Sequence, residues 1–251
     1  MTDAAITRVH PLPAAEGLGD EDIAALYSEG SDLTPWLRVN FVSSADGAAT
    51  QQGLSGGLSG AADQRVFAIL RRLCDVIVVG AGTVRAEGYG AMRVDEASVR
   101  WREAHGFSAH PVFAVVSASL DLDPASELFA EAPERPIILT TELSRPDARE
   151  ALGEVADVIV CGRERVQPEV LVERLAERGL VRIHCEGGPR LFGDLVAAGV
   201  FDELCLTISP VLEAGPSFRI ATGASPILPV GLRLAHTLVS GDTLLLRYLR
   251  A

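Results

Sequence analysis

From Trp36 to Arg250, short apolar runs rich in Val and Ile alternate with helical stretches, and this alternation constrains the fold more than any other feature. Runs at 36–43, 75–80, 112–117, 136–140, 156–161 and 181–185 read as buried strands. Helical spacing falls between several of them. In 60–73, Val66, Ile69, Leu70 and Leu73 share one face, with Ser59 placed to cap the start. In 168–178, Leu171 and Leu175 do the same behind Pro168, and in 189–198 so do Leu191, Leu195 and Ala198, ahead of Gly199. After Phe201 the pattern is strands alone, at 202–209, 231–239 and 243–250, with a tight turn at Ser240-Gly241-Asp242. The sequence therefore predicts one α/β domain over 35–251: a mostly parallel sheet, helices on both faces and an antiparallel C-terminal hairpin. Residues 1–34 are mixed and punctuated by Pro and Gly, with a short helix around 20–28, and read as an arm packed on the body.

Composition removes several function classes. With 48% hydrophobic and 22% charged residues, the chain can bury a sizeable core. No apolar stretch is long enough to span a membrane, and no basic segment leads into an apolar one at the N-terminus, so a cytoplasmic protein is expected. Acidic residues number 34 against 22 basic ones, a balance that argues against phosphate-driven nucleic-acid binding. Every basic side chain other than His is Arg. Without lysine, a Schiff-base mechanism and a Walker-type phosphate loop are both excluded, and any anion would be held by guanidinium forks or backbone N–H groups. Cys74, Cys161, Cys185 and Cys205 show no paired spacing, and three of them lie in or beside apolar runs. They read as small core residues in a reducing compartment, and no metal site is expected.

Three segments carry chemistry, each where a strand gives way to a loop or helix, the edge at which open α/β sheets bind ligands. Asn40 to Gly47 ends a strand in a polar turn and runs on through the glycine-rich loop Gly53 to Gly60. Taken alone, that loop is equally well an ordinary surface loop. Val79 to Gly90 follows the 75–80 strand with small residues and a helical start, a potential phosphate cradle, although Arg85 occupies the third position of a dinucleotide fingerprint. Cys185 to Leu191 places two glycines before a helix that opens with Pro189, and sets Glu186 beside any ligand there. Glu186 could instead cap the loop or pair with an arginine. His184-Cys185-Glu186 superficially matches the H-x-E of zinc deaminases, but the second ligand pair of that chemistry is missing.

Together these segments resemble the C-terminal reductase domain of bacterial riboflavin biosynthesis enzymes, from about Pro35 to the C-terminus. The matching motifs are Ser44-Ala45-Asp46-Gly47, Gly53-Leu54-Ser55, Gly80-Ala81-Gly82-Thr83-Val84 with Glu87, Glu186 to Leu191, and Gly199 to Leu204. The resemblance implies a three-layer α/β/α, dihydrofolate-reductase-like fold, NADPH as cofactor and a homodimer. It assigns Gly80, Gly82, Thr83, Val84, Glu87, Gly187, Gly188, Pro189, Arg190 and Leu191 to the cofactor. It assigns Asn40, Asp46, Ser55, Arg71 and Arg93 to the substrate, the two arginines suiting a ribosyl phosphate. Glu186 would be catalytic, orienting the sugar or relaying a proton during hydride transfer to C1′ of a ribosylamino-pyrimidine.

Two departures matter. Asn40 stands where the family usually has Lys, and the deaminase domain expected ahead of the reductase is absent, which implies a stand-alone reductase. Reduction of a pterin such as dihydrofolate, and non-catalytic nucleotide binding, remain as alternatives. Arg163 and Arg165 are the arginines considered for a 2′-phosphate.

Overall fold

A computed structural model describes residues 4–28, 35–223 and 229–251. Residues 1–3 and 29–34 of the N-terminal arm lie outside the described residues. The elements are β1 (Thr7–His10), α1 (Asp20–Ser28), β2 (Trp36–Ser44), α2 (Ala61–Arg72), β3 (Val76–Gly80), α3 (Ala81–Glu87), α4 (Glu96–Ala104), β4 (Val112–Val116), α5 (Glu127–Ala130), β5 (Ile137–Thr140), α6 (Pro146–Gly153), β6 (Asp157–Val160), α7 (Pro168–Ala176), β7 (Arg182–Cys185), α8 (Pro189–Ala198), β8 (Glu203–Ser209), β9 (Leu232–Ser240) and β10 (Thr243–Arg250).

The ten strands of the described residues form one sheet in the order β1-β9-β10-β8-β2-β7-β3-β4-β5-β6. Every neighbouring pair from β8 to β6 is parallel. The pairs β1–β9, β9–β10 and β10–β8 are antiparallel. The mostly parallel sheet with antiparallel C-terminal strands is thus the architecture the alternation predicted. Ser240 pairs with Thr243 across Gly241-Asp242, and Gly241 takes the left-handed φ of 55° that this two-residue turn requires.

Period-two alternation in the strands feeds two different faces. On β3, Val76 and Val78 pack with Leu171, Leu175, Leu191 and Leu195 of α7 and α8, while Ile77 and Val79 pack with Val84 of α3, Leu128 of α5 and Leu152 of α6. Farther along the sheet, Val66, Ile69, Leu70 and Leu73 bury against α1, β8, β9 and β10. Helices therefore cover both faces, in three layers. Pro168 and Pro189 open their helices as predicted, and Gly199 ends α8 at φ 66°. Ser59 does not cap α2. The cap position is Gly60, and the Ser59 hydroxyl donates instead to Asp63 Oδ2 at 2.6 Å.

One buried polar cluster ties three adjacent strands. Glu203 of β8 takes Arg38 Nε of β2 on Oε1 at 2.7 Å and Arg247 Nη2 of β10 on Oε2 at 3.0 Å. Burial pushes the Glu203 carboxyl up, but the two guanidinium charges outweigh it and bring it down to about 2.

Candidate active site

The parallel strands point their C-terminal ends toward one edge, where the β2, β3 and β7 loops meet. Gly80 N–H donates to Gly187 O at 2.8 Å, and Glu186 N–H to Val78 O at 3.0 Å, so the turn after β7 is sewn onto the end of β3. Gly187 has φ 97°, and a Cβ there would come within 3.0 Å of the Phe41 ring. A Cβ on Gly188 would come within 2.4 Å of Thr83 Oγ1. The Gly187–Gly188 peptide is cis. Glycine is thus required at 187 by its φ and by the Phe41 ring, and at 188 by contact with Thr83.

No side chain caps α8, whose N-cap is Gly188. Its first N–H groups remain open to a ligand, with the positive end of the helix dipole behind them. This glycine-walled turn fits a phosphate of a dinucleotide cofactor. Leu191 lines a cavity of about 170 Å³ farther along the same edge, shared with Val116, Ala118, Arg165 and Asp194. Arg165, on the β6–α7 connection, is one of the two arginines considered from sequence. Arg190 is exposed, and Gly82, Thr83 and Val84 lie in the first turns of α3.

Glu186 is the centre of a charged cluster on the other side of this turn. Arg71 of α2 grips it with Nε on Oε1 at 2.6 Å and Nη2 on Oε2 at 2.8 Å. The Tyr89 hydroxyl donates to Oε2 at 2.8 Å. Burial alone would raise the Glu186 carboxyl, but the Arg71 charge and these hydrogen bonds hold it below its ordinary range. It is therefore ionised at neutral pH. Its side chain is 1% exposed and that of Arg71 22%. A ligand arriving from solvent meets the guanidinium before the carboxylate.

Asn40 shares this face. Arg38 pairs with His184, and two residues farther along each strand alternation brings Asn40 and Glu186 to the same side. Ser55 is brought in by its backbone: its N–H donates to Glu87 Oε1 at 2.8 Å. Two other residues are engaged elsewhere. Arg93 donates to the backbone carbonyl of Glu131, just after α5. Asp46 accepts from the Ser44 hydroxyl, from Ala214 N–H at 2.9 Å and from Glu213 N–H at 3.2 Å. Those bonds bring its carboxyl down to about 2 and staple the loop after β8 to the end of β2.

Sequence reasoning missed Tyr89 and His184. Tyr89 lies within the Gly88-Tyr89-Gly90 motif and stacks on Phe113, with centroids 5.7 Å apart. Its position two residues past Glu87 was the only available signal. His184 is fully buried, and its Nε2 lies 3.7 Å from Glu186 Oε1. Burial lowers its pKa to about 4, so the ring is neutral. It also lines a larger cavity of about 400 Å³ with Trp36, Arg38, Trp101 and Phe107. That cavity opens at the N-terminal ends of β2 and β7, away from the edge where the glycine turns converge, so size alone does not mark the active site. Among the described residues no group of His, Cys, Asp and Glu could hold a metal.

Comparison with known proteins sets this arrangement among the α/β reductases. The chain is 29% identical over 223 residues to the 2,5-diamino-6-ribosylamino-4(3H)-pyrimidinone 5′-phosphate reductase of Methanothermobacter thermautotrophicus, covering 86% of this chain and 98% of that protein. It superposes on a pyrimidine reductase-like protein from Corynebacterium diphtheriae with a TM-score of 0.82 and 26% identity, covering 93% of this chain and 99% of the other. The fold also recurs in the deaminase/reductase of Thermotoga maritima, with a TM-score of 0.67, 17% identity, and 90% and 59% of the two chains covered. Residues 35–246 match the RibD C-terminal domain, and the chain belongs to that family.

Proposed function

We propose that the protein is an NADPH-dependent reductase of a ribosylamino-pyrimidine 5′-phosphate in riboflavin biosynthesis. The observation that carries this reading is the Arg71 fork on Glu186, set directly beside the Gly187–Gly188 turn. It juxtaposes a cation suited to a sugar phosphate with a cradle suited to a dinucleotide.

When bound, NADPH would supply a hydride to C1′ of the ribosylamino group as the C1′–O4′ bond breaks, and the released O4′ oxygen would take its proton from solvent. The protein binds and orients. Gly80, Gly82, Thr83, Val84, Gly187, Gly188, Pro189, Arg190 and Leu191 form the cofactor side, with the uncapped amides of Arg190 and Leu191 in the first turn of α8 facing the phosphates. Arg165 and Arg163 are the cations toward its adenosine end. Asn40, Ser55 and Arg71 form the substrate side. An Arg carries five N–H donors, and Glu186 occupies two from Arg71, so the remainder are free to take a phosphate or sugar oxygen.

Arg71 and Tyr89 fill three of the roughly four lone-pair sites of the Glu186 carboxylate, and the buried His184 Nε2 lies 3.7 Å from Oε1. Held ionised, Glu186 orients the sugar by fixing the guanidinium that binds it. The same charge makes it a poor proton donor.

The protein works in the cytoplasm as a homodimer. Family membership and the exposed Leu212 and Phe218, at 76% and 64%, support the dimer. No helix of the described residues is long and apolar enough to cross a membrane.

NADPH oxidation with the ribosylamino-pyrimidine phosphate, and in parallel with dihydrofolate, tests the reading. Turnover of the pyrimidine is expected, with Asn40 serving in place of the family's lysine. Turnover of dihydrofolate alone overturns the substrate, and turnover of neither leaves a nucleotide-binding protein.

A further inference from the structure

The substrate loop has no regular structure of its own. Gln51 and Leu54 close a small turn, Gln52 and Gly53 take φ of 52° and 87°, and two more glycines follow Ser55. Leu58 N–H also donates to Ser55 O at 2.9 Å within the loop, and an amide that these turns leave over needs a partner outside it. At Ser55 that partner is Glu87, the last residue of α3, whose carboxylate accepts the Ser55 N–H at 2.8 Å. The acceptor is charged and half-buried, which makes this a strong bond for a loop amide.

Glu87 is also one helical turn from Thr83, and Thr83 Oγ1 packs on Gly188 at the cofactor cradle. Residues four apart on a helix lie on one face, so α3 is a short rigid link with the cradle at one end and the loop at the other. We propose that Glu87, which the family resemblance assigns to the cofactor, is instead a positioning residue: it holds the Ser55 loop at the substrate from the same helix that borders the cofactor. This rests on the reductase reading above for what the loop binds, but the tether itself is a property of the free protein. Loss of the tether frees the loop without touching the glycine cradle. Its signature is therefore a weaker substrate affinity at a nearly unchanged cofactor affinity.

Glu87→Ala and Glu87→Gln test it, with the wild type as reference. Amide hydrogen exchange in residues 53–58 is expected to quicken about tenfold in E87A, since the bond restraining it is gone. The KM for the pyrimidine should rise about tenfold while kcat and the NADP⁺ dissociation constant stay within about twofold. Glutamine still presents an acceptor oxygen, so E87Q should recover most of both effects. If E87A does not fold, E87Q carries the test alone, with an exchange increase of about threefold from losing the charge on the acceptor. Unchanged exchange overturns the tether whatever the kinetics. So does a tenfold loss of NADP⁺ affinity at unchanged KM, which would make Glu87 a cofactor ligand. Absence of pyrimidine turnover in the wild type overturns the reductase reading instead, and the exchange measurement still decides the tether.

Discussion

Arg71 of α2 and Glu186 at the end of β7 are joined by two parallel hydrogen bonds, at 2.6 Å and 2.8 Å, between a planar guanidinium and a carboxylate with 1% of its side chain exposed. Such a fork fixes both orientation and charge, which a single contact would not. Glu186→Gln removes the charge and turns one acceptor into a donor facing Arg71. Its kcat/KM is expected to fall about 100-fold, and stability by about 1–3 kcal/mol because a partly buried guanidinium loses its partner. Arg71→Lys keeps the charge but cannot fork, and should raise KM about tenfold. Steady-state kinetics with urea unfolding checks both. Unchanged turnover and affinity in E186Q would sink the role given to Glu186.

Tyr89 supplies the third bond to the same carboxylate, at 2.8 Å, and its ring is held by stacking on Phe113. Tyr89→Phe deletes only the hydroxyl, leaving the stack. The expected result is a drop in kcat/KM of about three- to tenfold, the worth of one hydrogen bond to a charged group, with a small change in stability. A variant indistinguishable from wild type would show that Arg71 alone sets the carboxylate.

The strand and helix order was legible because it is written in local periodicity: Val76 to Val79 alternate between two cores, and Val66, Ile69, Leu70 and Leu73 share one. The glycine turns were legible too, since Gly187 and Gly188 leave room that any Cβ would fill. What periodicity does not encode is the partner of each polar side chain. Asp46 and Glu87 resemble ligand-binding carboxylates in sequence, yet both Asp46 oxygens take loop amides 167 and 168 residues away, and one Glu87 oxygen takes an amide 32 residues away. β1, α4, α5 and α6 were also unread. β1 joins the sheet by pairing with β9, a long-range relation that a local window cannot see.

Two buried histidines make stability fall on mild acidification. His184 and His236 have folded pKa values near 4 and 3, both lowered first by burial. The charged groups acting on His184 are Glu186 and Glu203, which raise its pKa, and Arg38 and Arg71, which lower it. In the unfolded chain each returns to about 6.5 and binds a proton that the folded protein refuses. Between those values the unfolded state holds more protons, so stability rises with pH. It is fully present above about 6.5 and is lost as pH falls toward the folded values, at up to about 1.4 kcal/mol per pH unit per histidine. Urea unfolding between about pH 7 and about pH 5 reads this slope, and His184→Gln should remove one proton's share of it. A slope unchanged in that variant would mean that His184 already ionises in the fold.

Glu203 is expected to be the costliest single position outside the active site. Replacing it by Gln leaves Arg38 and Arg247 buried without their shared counter-charge, at about 3–5 kcal/mol. Thermal and urea unfolding of E203Q would measure it. A loss under about 1 kcal/mol would mean that water reaches the two guanidinium groups and compensates them.

The two glycines of the cradle should fail for different reasons when substituted. Gly188 has φ −85°, which alanine adopts freely, so the obstacle at Gly188→Ala is steric alone: Thr83 Oγ1 at 2.4 Å from the new Cβ. Cutting Thr83 back to Ala removes that atom and leaves the next contact at 3.8 Å. The single variant G188A should lose about 1–3 kcal/mol of stability, and combining it with T83A should recover most of that, a non-additivity expected of touching residues. Gly187 differs because its φ of 97° disfavours any Cβ before the Phe41 ring is met at 3.0 Å. Gly187→Ala should therefore remain destabilised even when Phe41 is reduced to Leu. Urea unfolding without ligand reads the stability of each variant, and NADP⁺ titration reads the cradle. If G188A is as stable as wild type, Thr83 can turn its hydroxyl away, and the close packing of α3 on the turn is not what keeps position 188 a glycine.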